Sequence, residues 1–517
     1  MPNKIVFPHT RPSHTKIVAT VGPASDSEKV LAELINAGVD VFRLNMAHGS
    51  IQQAQERLDR IRKVSKSLGV TVGVLADLAG PKMRLGEIPG NEYQCKTDTA
   101  MTFVRGKTTT EPNTFTTTYE PLIDDVNVGD RMMLADGTVA LQVAGKHRDS
   151  IVCTVIQGGQ VRSRQGINLL STKLSIKTLQ PADIEHALWA TGAGIDFLGL
   201  SFVRSVRDVT ELREILVETT RNNTRHRREI PHIIDRIKKP EAIEDITAHG
   251  NAEHWGNIPH IIAKIEKPEA VEAIEDIVRV SDGIMVARGD LGVEFDIAKI
   301  AVVQKKIIET CRRQSKPVIV ATQMLESMHH QTLPTRAEAT DVANAILDGT
   351  DACMLSGETA VGEFPVQAVQ MMHRIAVETE KLMESRKSAA DHHRGKTSSV
   401  TGAVCDAAVT VAEEVDASMI LVGTRSGRTA LAVSNRRCFT LCVAASTHVR
   451  TLQRMNLYWG VFPMANVPSE PPRAGLESVI EAGKESGYLE RGDRMVYIIG
   501  ATPDSNHQNV LYVHIVE

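Results

Sequence analysis

The chain has 517 residues, of which 42% are hydrophobic and 24% charged, with a formal net charge of −4; this suits a globular protein of roughly two to four domains. So small a charge, with only 4% aromatic residues, excludes a general nucleic-acid or membrane-surface partner. No apolar run is long enough to span a membrane, the opening MPNKIVFPHTRPSHTK lacks a signal-peptide core, and the scattered cysteines form no CxxC pair and read as free thiols of a cytoplasmic protein.

Short apolar, β-branched-rich runs at Lys16–Gly22, Val39–Asn45 and Val70–Asp77 read as strands, with a helix signal over Ser25–Ala37 between the first two. The rhythm breaks over 86–174. That stretch is rich in Thr, Val and Gly, with turn signals at 128–130 and at Asp136-Gly137, and reads as a small all-β insertion. Strand signals resume at Asp196–Phe202, His260–Glu266, Gly283–Ala287, Pro317–Thr322 and Ala352–Ser356, and helix signals include Ile297–Arg313 and Arg336–Leu347. Eight alternating units imply a (β/α)8 barrel, the TIM-barrel form of the α/β class. A charged linker follows, and then strands are expected at Ser418–Gly423, Phe439–Ala444, Gly460–Met464, Met495–Ile499 and Val510–Ile515. The expected division is a discontinuous barrel (1–85 and 175–380), a β lid (86–174), a linker (381–396) and a C-terminal α/β domain with a mainly parallel sheet (397–517).

One segment is repeated. IPHIIDRIKKPEAIEDI begins at Ile230 and IPHIIAKIEKPEAVEAIEDI at Ile258, an offset of 28 residues. The first copy has Arg236 and Lys238 where the second has Lys264 and Glu266. A lysine cannot bind a hard cation as a carboxylate does, so the second copy is expected to be the fifth strand and the first an inserted surface segment. The basic run RNNTRHRRE before it reads as a solvated loop.

Reacting groups of such barrels sit at the C-terminal strand ends. Those ends carry Arg43 and Asn45, Asp77, Ser201 and Arg204, Lys264 and Glu266, Arg288 and Asp290, Thr322, then Ser356 and Glu358. One polar strand end is usually a satisfied structural group; a ring of them calls for a polar ligand. Glu266 and Asp290 suit Mg²⁺, with Mn²⁺ as the alternative ion, leaving positions for substrate oxygens. Lys264, two residues before Glu266, leaves the strand on the same face and favours a substrate rich in negative oxygens. The glycines of ARGDLG (287–292) serve either a turn or an anion-binding array of N–H groups.

TKIVATVGPAS, VFRLNMAHG, AKIEKPEAV, DGIMVARGDLGVE, ATQMLESM and PTRAEATDVANAILDGTDACMLSGETA occur in this order, and the chain resembles the pyruvate kinase family over nearly its whole length. The resemblance implies phosphoryl transfer from phosphoenolpyruvate to ADP, giving pyruvate and ATP, in a cytoplasmic homotetramer. By it, Glu266 and Asp290 hold Mg²⁺, Lys264 stabilises the departing phosphoryl group, Arg43 binds phosphate and Arg84 helps hold the nucleotide. Gly289, Asp290 and Thr322 would hold the substrate carboxylate, and Thr322, Ser356 and Glu358 match a proton relay. Pro23, Asn45, His48 and Asp136 match nucleotide contacts, and the insertion matches a closing lid.

Three departures bear on function. Lys82 stands where many members carry Glu after Gly-Pro, and Ala47 where the family has a K⁺-binding serine; together they imply that K⁺ is not required. Gln165 stands near a position where nucleotide-contacting relatives carry Lys. In the C-terminal domain Thr424, Arg425, Ser426, Gly427, Arg428 and Thr429 resemble a sugar-phosphate effector loop. The late segment GATPDSNHQN lacks the loop of fructose-bisphosphate-regulated members, so this is either an effector-phosphate site or a structural turn. Two other functions compete with the kinase: a Mg²⁺-dependent lyase acting on 2-oxo acids, and a non-catalytic phosphoenolpyruvate sensor.

Overall fold

The computed structural model describes residues 5, 7, 13–135, 137–170, 176–222, 258–386, 400–468, 472–499 and 510–517. Eight parallel strands close a barrel: β1 (Lys16–Thr20), β2 (Val41–Asn45), β3 (Gly73–Asp77), β12 (Phe197–Leu200), β13 (His260–Ile265), β14 (Gly283–Ala287), β15 (Val318–Ala321) and β16 (Ala352–Leu355), with β16 pairing back to β1. Each reads as a near-continuous apolar run because helices cover its outer face. The second copy of the repeat supplies β13; the first copy, with Arg236 and Lys238, lies outside the described residues.

The helix signals hold because their ends are capped. Ser27 caps Glu28–Ala37, which ends at Gly38 with φ of 113°, a conformation glycine adopts without Cβ penalty. Thr335 and Glu338 form a reciprocal capping box on Arg336–Leu347.

Eight strands lie between β3 and β12: β4 (Glu92–Cys95), β5 (Ala100–Val104), β6 (Thr114–Phe115), β7 (Arg131–Leu134), β8 (Val139–Lys146), β9 (Ser150–Gln157), β10 (Gly159–Arg162) and β11 (Ile167–Leu170). They form a six-stranded sheet in the order β11-β7-β8-β9-β5-β6 and a β10-β4 pair, around an apolar core that includes Phe103, Leu134 and Val155. The chain enters this unit through isolated bridges, Arg84 to Gly166 and Leu85 to Thr117.

The C-terminal sheet runs β19-β18-β17-β20-β21, where β17 is Met419–Gly423, β18 Leu441–Ala445, β19 Val461–Met464, β20 Arg494–Ile499 and β21 Val510–Ile515. Only the β20–β21 pair is antiparallel. Residues 387–396 of the expected linker and the segment 500–509 lie outside the described residues. All seven cysteines are buried, and none is in a disulfide.

Candidate active site

The barrel interior changes character along its axis. Val18, Val41, Leu75, Phe197, Ile262, Ile319 and Met354 belong to one buried cluster, continuous with Leu452, Met455 and Leu457 of the C-terminal unit. Two residues further on the same face of each strand stand Thr20, Arg43, Asp77, Gly199, Lys264, Ala321 and Ser356. The apolar plug thus faces the C-terminal unit and a polar layer opens at the other end. Gly199 makes that layer possible: a Cβ there would lie 2.7 Å from Asp77 Oδ1.

Asp77 joins two cations. Its Oδ2 accepts from Arg43 Nε at 2.8 Å and Nη2 at 2.6 Å, and its Oδ1 lies 3.2 Å from Lys264 Nζ. Burial pushes this carboxyl up, but the charges of Lys264 and Arg43 outweigh burial and hold it below the usual carboxylate value. Lys264 also lies 3.0 Å from Glu266 Oε1 and donates to Ser201 Oγ at 2.7 Å. Burial alone would lower the Lys264 pKa; Asp77 and Glu266 overcome it and raise it. The ammonium therefore stays charged inside the barrel.

Glu266 is 1% exposed, and its Oε2 accepts from the Phe202 N–H at 2.9 Å. Its Oε1 is buried with no aligned donor. Burial pushes this carboxyl up to about 7; Lys264 opposes the rise and Asp290 adds to it. The anionic site is under-neutralised, which is the environment a hard divalent cation relieves. Among the described residues no three His, Cys, Asp or Glu side chains cluster as a ready-made cage. Two carboxylates, Glu266 and Asp290, fit an ion that takes its other ligands from substrate and water.

Asp290 and Gly289 open the helix Arg288–Glu294 that follows β14. Gly289 N–H donates to Thr322 Oγ1 at 2.8 Å. Thr322 and Gln323 have φ of 67° and 52°, a left-handed conformation that is uncommon for a β-branched residue. Arg288 holds it, donating to both carbonyls at 2.9 Å and to Asp341 Oδ2 at 2.6 Å. Arg288 is thus a brace. Arg204 is also structural, donating to the Ile176 carbonyl at 2.6 Å. Glu358 is fully buried, and its oxygens accept from Ser356 N–H at 2.7 Å and Leu325 N–H at 3.1 Å. Burial raises its pKa, against those two hydrogen bonds.

The remaining predicted residues rim this cleft or lie elsewhere. His48 and Lys82 are exposed and Arg84 is half-buried. Burial lowers the His48 pKa, with Lys82, Arg84 and Arg43 adding to the effect, so these four groups share one mouth. Arg84 Nη1 donates to the Arg164 carbonyl at 3.2 Å, where the chain enters the inserted β unit. Asn45 Oδ1 accepts from Ala47 N–H at 3.1 Å, and Pro23 is exposed on the turn after β1. Asp136 lies outside the described residues, but its neighbour Gly137 approaches Val293, close enough that a Cβ on it would lie 3.6 Å from that side chain. The Thr424–Thr429 segment follows β17 in the C-terminal unit. There Thr424 Oγ1 accepts from Gly427 N–H at 3.1 Å and Arg428 Nε donates to Ser426 Oγ at 3.3 Å.

Sequence reasoning saw Asp77 and Ser201 at strand ends but gave them no task. The structure makes them the partners that fix Arg43 and Lys264.

Comparison with known proteins agrees with this architecture. A family model described as pyruvate kinase, barrel domain, matches residues 12–249 and 233–369, and one described as pyruvate kinase, alpha/beta domain, matches 402–514. The two barrel matches overlap over 233–249, within and just past the first copy of the repeat. The chain is 36% identical over 509 residues to a pyruvate kinase of Sporosarcina psychrophila and 35% identical over 505 residues to one of Staphylococcus saprophyticus, covering 97% of this chain and 80% of each relative. A crystal structure of a pyruvate kinase from Cryptosporidium parvum superposes with a TM-score of 0.84 at 30% identity, covering 98% of this chain and 97% of that one. With a closed barrel, an inserted β unit and a C-terminal parallel sheet all matched, the chain belongs to the pyruvate kinase family of phosphotransferases.

Proposed function

We propose that the protein transfers the phosphoryl group of phosphoenolpyruvate to ADP with Mg²⁺, or Mn²⁺ in its place, at the Lys264–Glu266–Asp290 cluster. The observation that carries this reading is the Lys264 ammonium, held charged in the barrel mouth 3.0 Å from the buried carboxylate of Glu266 and 3.2 Å from that of Asp77. Glu266 and Asp290 hold the divalent ion, which when bound supplies charge neutralisation at the transferring oxygens. Lys264 and Arg43 add fixed positive charge where the phosphoryl group departs, and such preorganised charge is the main catalytic resource in phosphoryl transfer. The substrate carboxylate takes the N–H groups of Gly289 and Asp290, and in doing so frees the Thr322 hydroxyl, which now accepts from Gly289. Thr322 and Ser356 then serve the proton relay to the enolate, with Glu358 anchoring the backbone of Ser356.

Pro23, Asn45, His48, Arg84 and Asp136 form the nucleotide side. The unit over 86–174 acts as a lid on a barrel of 1–85 and 175–380, with 397–517 as the C-terminal domain after a linker at 381–396. Closure excludes water and favours transfer over hydrolysis. The packing of β11 near the helix Arg288–Glu294 supports this assignment. Family membership also favours a cytoplasmic homotetramer, and among the described residues no helix is long and apolar enough to cross a membrane. The 424–429 loop is the candidate for a phosphorylated effector.

Lys82 takes the place of K⁺. Its ammonium faces His48 in the same mouth as Arg43 and Arg84, and a fixed cation there makes a bound monovalent ion redundant. Pyruvate formation should proceed in a K⁺-free buffer, and Lys82→Glu should become K⁺-stimulated by about tenfold, the scale of 1.4 kcal/mol in a barrier. Equal K⁺ dependence in both proteins would remove the role of Lys82.

A further inference from the structure

We infer that His329 is the group through which the proton taken up by the enolate enters the buried relay at Ser356. This rests on the phosphoenolpyruvate reading above. His329 ends the 3₁₀ turn Glu326–His329, and its ring lies against Gly357. A Cβ on that glycine would lie 2.2 Å from His329 Cε1 and 2.3 Å from Nε2. The inner edge of the imidazole is thus seated on the backbone one residue after Ser356.

Two polar atoms flanking this backbone lack a hydrogen bond. His329 Nε2 and Ser356 Oγ are both buried and make no hydrogen bond. An unsatisfied buried polar group costs about 1–3 kcal/mol, so a site that keeps two around one glycine is one where hydrogen bonds are made and broken. A nitrogen and a hydroxyl are complementary, and a proton passes between them directly or through one water.

Glu358 is a poor entry point. It is fully buried, and both its oxygens are occupied by the backbone N–H groups of Ser356 and Leu325. Protonating it would weaken one of these bonds and add a buried O–H that needs an acceptor. His329 reaches outward instead: its side chain is 22% exposed, and Glu326, 57% exposed, lies 3.8 Å from Nε2. The His330 ring lies 6.2 Å from this ring, edge to face, and its Nδ1 pairs with Glu363 Oε1 at 2.9 Å; the Glu363 N–H donates to the His329 carbonyl at 2.9 Å. Imidazole can accept a proton at one nitrogen while releasing one from the other.

The step balances. As the oxygen–phosphorus bond of the donor breaks and the phosphoryl group joins ADP, the enolate electron pair forms a C–H bond with the relay hydroxyl proton. The hydroxyl oxygen recovers a proton from His329 Nε2, and the imidazole recovers one from water. One solvent proton enters per pyruvate formed, and nothing is oxidised or reduced. His329 does not touch the substrate; it acts through Ser356.

The reverse of this step is proton removal from pyruvate, so the test is deuterium uptake into the pyruvate methyl group in D₂O with Mg²⁺ and ATP, followed by NMR. The full chain, His329→Gln and His329→Leu are compared over roughly pH 5.5 to 9, the range in which imidazoles titrate. Both variants should exchange about tenfold or more slowly, with a pH profile that differs from that of the full chain, and keep its KM for phosphoenolpyruvate. Exchange at the unmodified rate with the unmodified pH profile would overturn the proposal. So would slow exchange accompanied by a raised KM and a lowered thermal midpoint, which marks a packing role. An unmodified chain that neither exchanges nor consumes phosphoenolpyruvate would overturn the underlying kinase reading as well.

Discussion

A lysine with 9% exposure stays charged only if its surroundings replace water, and Lys264 has Asp77, Glu266 and Ser201 within 3.2 Å. Its contribution is fixed charge at the point where charge shifts. Lys264→Met should lower kcat by about 10³-fold, the scale of a lost electrostatic donor, with a much smaller change in KM; steady-state kinetics with phosphoenolpyruvate and ADP measure both. Lys264, Glu266 and Asp290 were legible in the sequence because polar residues closing apolar strands are conspicuous. Their supports were not. Asp77 reaches Lys264 only because the strand between theirs carries Gly199, and Arg288 finds Asp341 only because two helices far apart in the chain converge. Likewise, nothing in the spacing of His329 and Gly357 places an imidazole on that glycine.

At the scale of elements, eight strands and their order followed from alternation alone, while several predicted ends ran too far. The expected strands at Asp196–Phe202 and Pro317–Thr322 stop at Leu200 and Ala321. The next residues leave the β region, with φ of 57° at Phe202 and 67° at Thr322, and this turns the Phe202 N–H toward Glu266 and the Thr322 hydroxyl toward Gly289. The site is built where the ladder breaks. The opposite end of β13 carries a different device. His260 Nε2 lies 3.2 Å from Arg454 Nη1. Burial, with Arg454 and despite Asp282, pushes the His260 pKa down to about 3. The folded state then binds fewer protons than the unfolded chain below the usual histidine value. Stability is unaffected above about pH 6.5 and falls as the pH drops from there toward 3, by about 2 kcal/mol at pH 5. His260→Gln, which keeps an acceptor for Arg454, should lose less stability between neutral pH and pH 5, read from thermal midpoints.

At the scale of the molecule, the barrel presents its two ends to different tasks. One end holds the polar cluster; the other is plugged against the C-terminal unit. There Arg437 donates to Asp351 Oδ1 at 2.9 Å and to the Gly349 carbonyl at 2.8 Å, and its guanidinium lies 4.8 Å from the Trp459 ring centre. Removing one member of a buried pair strands the other, so Arg437→Ala should cost about 3–5 kcal/mol. Arg473→Ala, whose pair with Glu477 is exposed, should cost under about 1 kcal/mol; thermal unfolding of the two variants side by side checks the contrast. The division of labour was legible from the strand rhythm, whereas this junction was not, because its partners come from units far apart in the chain. The central claim is that the barrel mouth moves a phosphoryl group from phosphoenolpyruvate to ADP through a divalent ion. The most direct measurement follows both products, ATP by phosphorus NMR and pyruvate by proton NMR, with Mg²⁺ and again with EDTA. Equal amounts of ATP and pyruvate with Mg²⁺ and neither with EDTA is the predicted result; phosphoenolpyruvate left unconsumed with Mg²⁺ and ADP, with or without K⁺, would contradict it.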